Sequence, residues 1–176
     1  MLRDIRFFED VRLLFIVGVA ACVVDTAGLF VWKRYPRSAA ISRWYDTFGL
    51  LAYMLDVTSV FIGVVLAQFV TAYIGGPWNP LLFCAAAVAV QQVHDILFAT
   101  VVVPAVPSGT NEIMDLMREY VGGKSSWLIL VADAVYVVLA SLLAMVLYGQ
   151  KTWVSVVTLV ATLYVTGYAL VAHVGG

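Results

Sequence analysis

Residues 81–103 read LLFCAAAVAVQQVHDILFATVVV. As a helix rising 1.5 Å per residue this run is about 35 Å long, enough to cross the roughly 30 Å hydrocarbon layer of a bilayer. Yet Gln91, Gln92, His94 and Asp95 fall within five positions of one another inside it. Whether the run is a membrane span or a buried core helix decides the fold, and the rest of the chain decides the run.

Of the 176 residues, 63% are hydrophobic and 12% charged, and the mean hydropathy is +0.97. Soluble domains run nearer half apolar and a quarter charged. A soluble domain of this size has too little interior to hide so much apolar surface. The chain therefore reads as an all-α, polytopic integral membrane protein, a single bundle over residues 1–176. Cutting at charges, prolines and glycines leaves five spans, at about 11–32, 48–74, 81–103, 125–148 and 152–174. Trp32, Trp44, Trp78, Trp127 and Trp153 all fall at span edges or in connectors, where amphipathic rings prefer the headgroup layer.

The connectors order the spans. GGPWNP at 75–80 and the short link at 149–151 predict two antiparallel helical hairpins. Residues 33–47 read as a basic loop carrying Lys33, Arg34, Arg37 and Arg43 against Asp46. In 104–124, Pro104 and Pro107 are expected to stop the third span, and Ser108 or Thr110 to cap a short amphipathic helix over about 108–121. Ile113, Leu116, Met117 and Tyr120 form its apolar face, and Glu112, Asp115, Arg118 and Glu119 its polar one. It either lies in the membrane interface or packs on neighbouring loops. The N-terminal MLRDIRFFEDVR mixes three acids with three arginines, which disfavours a cleaved signal peptide and predicts a charged lead-in. No soluble domain is expected at either end.

The side bearing the 33–47 and 104–124 connectors has six Lys/Arg, the other side four, so the positive-inside tendency puts those connectors on the cytoplasmic face. Lys33, Arg34, Arg37, Arg43, Arg118 and Lys124 are the candidates for contact with lipid headgroups or partner proteins. Cys22 and Cys84 lie inside spans with no CxxC or Cys/His spacing, so they read as small buried hydrophobes.

Each of the first four spans carries one aspartate, Asp25, Asp56, Asp95 and Asp133; the fifth carries none. An ionisable group inside lipid costs on the order of 3 kcal/mol on insertion scales and normally faces the bundle interior. Counted from the basic side, as residues from Lys33, Asp46, Pro104 and Lys124, all four lie roughly 12–15 Å deep, in one layer near the midplane. Gln91 and Asp95 are four apart and Gln91 and His94 three apart, so they share a helix face. Gln92 adds a second amide and Gln68 another nearer the far side, while His173 sits at the edge of the last span. With no Lys or Arg at this level, the carboxyls are expected to be largely neutral, donating and accepting hydrogen bonds as amides do.

Such a layer can be interhelical glue, each contact contributing roughly 0.6–2 kcal/mol, and the small-residue pairs Gly63/Ala67, Ala85/Ala89 and Ala140/Ala144 let helices approach closely. It can also be a proton or cation path, as in a small channel or transporter, since imidazole and perturbed carboxyls titrate near neutral pH. A metal centre is not expected, because the paired Glu-x-x-His or clustered His spacing of bundle sites is missing. Nor is an enzyme: Ser59 and Ser141 lack a nucleophile-elbow setting. His94 and Asp95 project about 100° apart, so Asp95 is not expected to orient the imidazole. No cofactor and no nucleic-acid partner are implied.

The runs WYDTFGLLAYMLDVTSVFIGVVLAQF (44–69), QQVHDILF (91–98) and PSGTNEIMDLMREYVGG (107–123) carry a resemblance as well. Over about 44–147 the chain resembles small multi-pass membrane proteins of large nucleocytoplasmic DNA viruses of the chlorella-virus and mimivirus type. The resemblance implies a structural protein of the virion's internal lipid membrane, or a minor capsid component linking that membrane to the shell. It brings no catalytic motif with it. The partners it implies are the bilayer, capsid or other virion membrane proteins and, as an open possibility, further copies of the chain.

Overall fold

The computed structural model describes residues 2–35, 38–123 and 126–172, and within them the protein is all-helical. Five helices are long and apolar enough to cross a membrane: α1 (Val11–Arg34), α3 (Leu50–Ile74), α4 (Pro80–Ala105), α6 (Ser126–Tyr148) and α7 (Thr152–Val171). Two short helices, α2 (Ala39–Phe48) and α5 (Glu112–Val121), lie between them. Residues 173 and 174 of the expected fifth span, and with them His173, fall outside the described residues.

The four spans that each carry an aspartate close into a ring, α1 to α3 to α4 to α6 and back to α1, with α3 also touching α6 across it. The fifth, acid-free span packs chiefly on α1. Small side chains set the close approaches. Ala20, Ala21, Ala67, Ala87, Ala140 and Ala144 are fully buried, as close packing of spans in lipid requires. Gly63/Ala67 and Ala140/Ala144 therefore face inward, but Ala85 and Ala89 are exposed. Gln91 fixes the inward face of α4, and four residues before it comes Ala87, not Ala85 or Ala89.

The connector 33–47 is not simply a loop. Ser38 accepts a hydrogen bond from the Ile41 N–H and starts α2, whose Ile41, Trp44 and Tyr45 are buried at i, i+3 and i+4. A single residue, Gly49, joins α2 to α3 at φ +50°, a backbone position that favours glycine. The third span also runs past its expected stop. Pro104 sits in the last helical turn, preceded by a π-helical stretch at Phe98–Val102. Proline lacks an N–H and its ring crowds the carbonyl four residues back; a wider turn just upstream accommodates both. The chain leaves the helix only at Val106, before Pro107.

Asn111, rather than Ser108 or Thr110, caps α5, accepting from Met114 N–H at 3.1 Å. The Ser108 hydroxyl and the Gly109 N–H both donate to Asp115. The apolar face of α5 packs with α2 into a second small core around Leu29, Ile41, Trp44, Tyr45 and Ala52. Arg43 of α2 and Glu119 of α5 are ion-paired, so the two helices form one ledge over the basic-side end of the bundle.

On the opposite face, the lead-in folds back as a strap. Ile5 is fully buried, Arg6 donates to the Gly76 carbonyl at 3.0 Å over the Trp78 ring, and Arg3 N–H reaches Met145 O. Arg12 donates to Gln150 O at 2.6 Å and to the Thr152 hydroxyl, tying α1 to the α6–α7 turn.

Candidate functional site

The four aspartates lie on the four helices of the ring, below the α2–α5 ledge. Counted from the ends of the observed helices, Asp56 is about 9 Å in, Asp133 about 10 Å, Asp25 about 14 Å and Asp95 about 15 Å. The four acid-bearing spans are about 35–39 Å long, so the layer sits several ångströms to the basic side of their centres, not at the midplane. The displacement follows from the length of the helices, which exceeds the roughly 30 Å a span requires, and for Asp56 also from α2: residues 39–48, expected as loop, are a separate helix, and α3 starts only at Leu50.

Asp25 is 1% exposed, and neither of its carboxyl oxygens has a hydrogen-bond partner among the described residues. It stands within electrostatic range of Asp56 and Asp133. Asp56 is held from the ledge: the Trp44 indole N–H donates to its two oxygens at 3.2 and 3.1 Å, and the Tyr45 hydroxyl donates at 2.8 Å. The Tyr45 phenol is pushed up from its ordinary range, first by burial and then by the negative charge of Asp56. Tyr120 of α5 is pushed up by burial and by Asp133 and Asp56, which places a second phenol beside the layer.

The other half of the layer is centred on α4. Gln91, fully buried, donates through Nε2 to Asp95 at 2.8 Å and to the Ser59 hydroxyl at 3.2 Å, joining α4 to α3. Asp133 of α6 stands within electrostatic range of Asp95. Gln92 donates to the Leu130 carbonyl at 2.9 Å, a second link to α6. His94 does meet Asp95, contrary to the helical-projection argument: Nδ1 and Oδ1 are 3.0 Å apart. Adjacent side chains leave the helix about 100° apart, but rotation about their own χ angles closes that gap at the helix surface. The imidazole stacks on Phe98, one turn on and the first residue of the π-helical stretch, and its side chain is 38% exposed on the outside of the bundle.

Two glycines make room for the polar side chains. A Cβ on Gly63 would overlap the amide oxygen of Gln91, and one on Gly28 would overlap the hydroxyl of Tyr136. A hydroxyl cluster missing from the sequence reading joins the fifth span: Thr26 Oγ1 lies 3.1 Å from the Tyr53 hydroxyl and 2.7 Å from Thr166 Oγ1. Its only sequence signal is three isolated hydroxyls on three spans. Ser141 donates to its own helix at Val137 O, and Gln68 is fully buried with neither amide atom partnered among the described residues. Among the described residues, no group of three or more His, Cys, Asp or Glu is arranged to hold a metal ion, and Cys22 and Cys84 are free thiols.

The basic residues at this end of the bundle are mostly engaged within the chain. Lys33 bonds to Asp46 and to the Leu170 carbonyl, and Arg43 pairs with Glu119. Arg118 pairs with Asp115 and donates to the Val103 and Val106 carbonyls at 3.1 and 2.6 Å, so it closes the C-terminal end of α4. Arg34 is exposed, over the Tyr35 ring. Arg37 and Lys124 lie outside the described residues.

No family model, curated protein or solved structure matches this chain.

Proposed function

We propose that the protein is a structural component of a membrane: a bundle that fixes the α2–α5 ledge at the bilayer surface, where it joins lipid to a protein layer outside. The observation that carries this reading is the anchoring of the ledge from below and from the side. Trp44 and Tyr45 bond to Asp56 inside the bundle, Arg43 pairs with Glu119, and Arg118 closes the end of α4. An interfacial helix that merely floats on lipid needs none of these bonds. The strap on the other face joins the α3–α4 turn and the α6–α7 turn to α1 in the same way.

The resemblance of residues 44–147 supplies the setting: the internal membrane of a large DNA virus, with capsid or other virion membrane proteins as the layer outside. In that setting the exposed residues of the ledge, with Arg34 at the adjoining end of α1, are the contact surface. Quantitative mass spectrometry and cross-linking of purified particles test the proposal. The expected result is a fixed ratio of this chain to the capsid protein, with cross-links from α2 or α5 to a shell component. Exclusion of the chain from purified particles, or cross-links confined to the strap face, overturns it.

A further inference from the structure

The acid cluster contains more than a set of fastenings requires. Trp44 and Tyr45 hold Asp56, and Gln91 holds Asp95. Asp25, by contrast, bonds to none of the described residues, although it is the least exposed of the four acids and stands within electrostatic range of Asp56 and Asp133. Gln91, fully buried beside the cluster, keeps an unpartnered amide oxygen as well. A buried carboxyl with no partner contributes no cohesion, and leaving it there costs about 1–3 kcal/mol or more. Among the described residues no lysine or arginine faces it: the groups facing the cluster are Asp25 from α1, Tyr45 from α2, Asp56 from α3, His94 and Asp95 from α4, Tyr120 from α5, and Asp133 and Tyr136 from α6. Nearby Lys33 is bonded to Asp46 and a backbone carbonyl. Acids so arranged in lipid share protons, because full ionisation would place four like charges in one dry layer.

The geometry points to an intramembrane proton-exchange site, formed by Asp25, Asp56, Asp95 and Asp133 and served from the aqueous side of the ledge through the phenols of Tyr45 and Tyr120. This goes beyond the structural role and does not rest on it. Tyr45 already donates to Asp56, and its helix lies over the basic-side end of the bundle, outside the five spans. In an exchange step, the phenol O–H proton passes to an Asp56 carboxylate as the phenol oxygen takes a proton from the aqueous side. The tyrosine ends unchanged, and one proton has entered the cluster. Transfer from Asp56 to Asp25 or Asp133, and between Asp133 and Asp95, moves the O–H from one carboxyl to the next with no change in total charge. His94, bonded to Asp95, is the far end of the chain.

Infrared spectroscopy of the whole protein in phosphatidylcholine nanodiscs tests the site without any assumption about where the protein resides. At neutral pH a protonated-carboxyl C=O band is expected, partly lost in Asp25→Asn and in Asp133→Asn. On transfer to D2O the band shifts as the carboxyl protons exchange. Trp44→Phe also removes a donor from Asp56 and loosens α2 but keeps both phenols, and relative to it the Tyr45→Phe/Tyr120→Phe double variant slows that shift by a factor on the order of ten or more. Tyr136→Phe, which removes a phenol not assigned to the port, leaves the wild-type rate unchanged. The proposal is overturned if the wild-type protein has no such band at neutral pH, or if the double variant exchanges as fast as or faster than Trp44→Phe. Should an Asp→Asn variant fail to fold, the wild-type band and the tyrosine variants still decide the matter.

Discussion

Gln91 lies against α3 at the one place where the helix has no side chain: a Cβ on Gly63 would overlap the Gln91 amide oxygen. The contact lets a long amide from α4 reach Ser59 on α3 while also bonding Asp95 on its own helix. Gly63→Ala must therefore push the helices apart or expel the glutamine, at a cost of about 1–3 kcal/mol. Because the clash is with one side chain, Gln91→Ala in the Gly63→Ala background should recover a large part of the loss. A double-mutant cycle on detergent unfolding midpoints measures this coupling, and additive effects would show that Gln91 is not what Gly63 accommodates.

The ledge depends on Asp56. Trp44→Phe and Tyr45→Phe each remove one donor from its carboxyl and retain most of the apolar packing. Each should destabilise α2 by about 1–3 kcal/mol, the cost of leaving a buried polar group short of a partner. The change should be local. Amide hydrogen exchange in Ala39–Phe48 should quicken while exchange in α1 and α6 stays slow. Uniform quickening across all the spans would mean that α2 is integral to the bundle rather than bolted to it.

Which parts of this arrangement were legible in the sequence follows from the range of the forces involved. The five spans and the single acid on each of four of them are local facts, written in composition and in the 3.6-residue period. So are the shared face of Gln91 and Asp95 and the apolar face of α5. α2 was equally legible, since Ile41, Trp44, Tyr45 and Phe48 stand at i, i+3, i+4 and i+7. The charges around them, from Lys33 to Asp46, made the segment read as loop. That error moved the estimated depth of Asp56. The His94–Asp95 contact was hidden because helical projection fixes where a side chain starts and not where its rotamer takes it. The strap could not be read at all: Ile5 has no periodic company, and Arg6 meets Gly76 seventy residues away. Likewise, whether Ala87 or the Ala85/Ala89 pair faces inward depends on which side of α4 its neighbours occupy.

Arg118 should be irreplaceable even by lysine. Its guanidinium serves Asp115 through one nitrogen and the Val103 and Val106 carbonyls through the other, at the end of a helix whose last turns are π-helical and proline-bearing. A lysine ammonium is a point donor without the planar fork that spans those positions. Arg118→Lys and Arg118→Ala should therefore both fray residues 98–106, each with a loss of about 1–3 kcal/mol. Hydrogen exchange over that stretch reads the effect. Full protection in Arg118→Lys would show that charge near the helix end, rather than bidentate geometry, holds α4 closed.

The opposite face has a pH signature of its own. Asp10 caps α1, accepting from the Arg12 and Leu13 N–H groups at 2.8 and 3.2 Å, and its other oxygen accepts from the Tyr148 hydroxyl at 2.8 Å. The Tyr148 bond is the main reason its carboxyl is held below the usual range; the two backbone bonds and Arg12 add to this against a burial penalty. The folded state thus binds the proton less readily than the unfolded chain does. This contribution to stability is complete above the ordinary aspartate value, about 4, and is lost as the pH falls through the lower folded value. The stability difference between wild type and Tyr148→Phe should accordingly be constant from neutral pH down to about 5 and shrink steadily below about 4. Denaturant midpoints of the two proteins across that range measure it. A difference that stays constant into strong acid would mean that the tyrosine stabilises the α6 end by packing against Arg12, whose guanidinium lies 5.2 Å from its ring, and not through the Asp10 carboxylate.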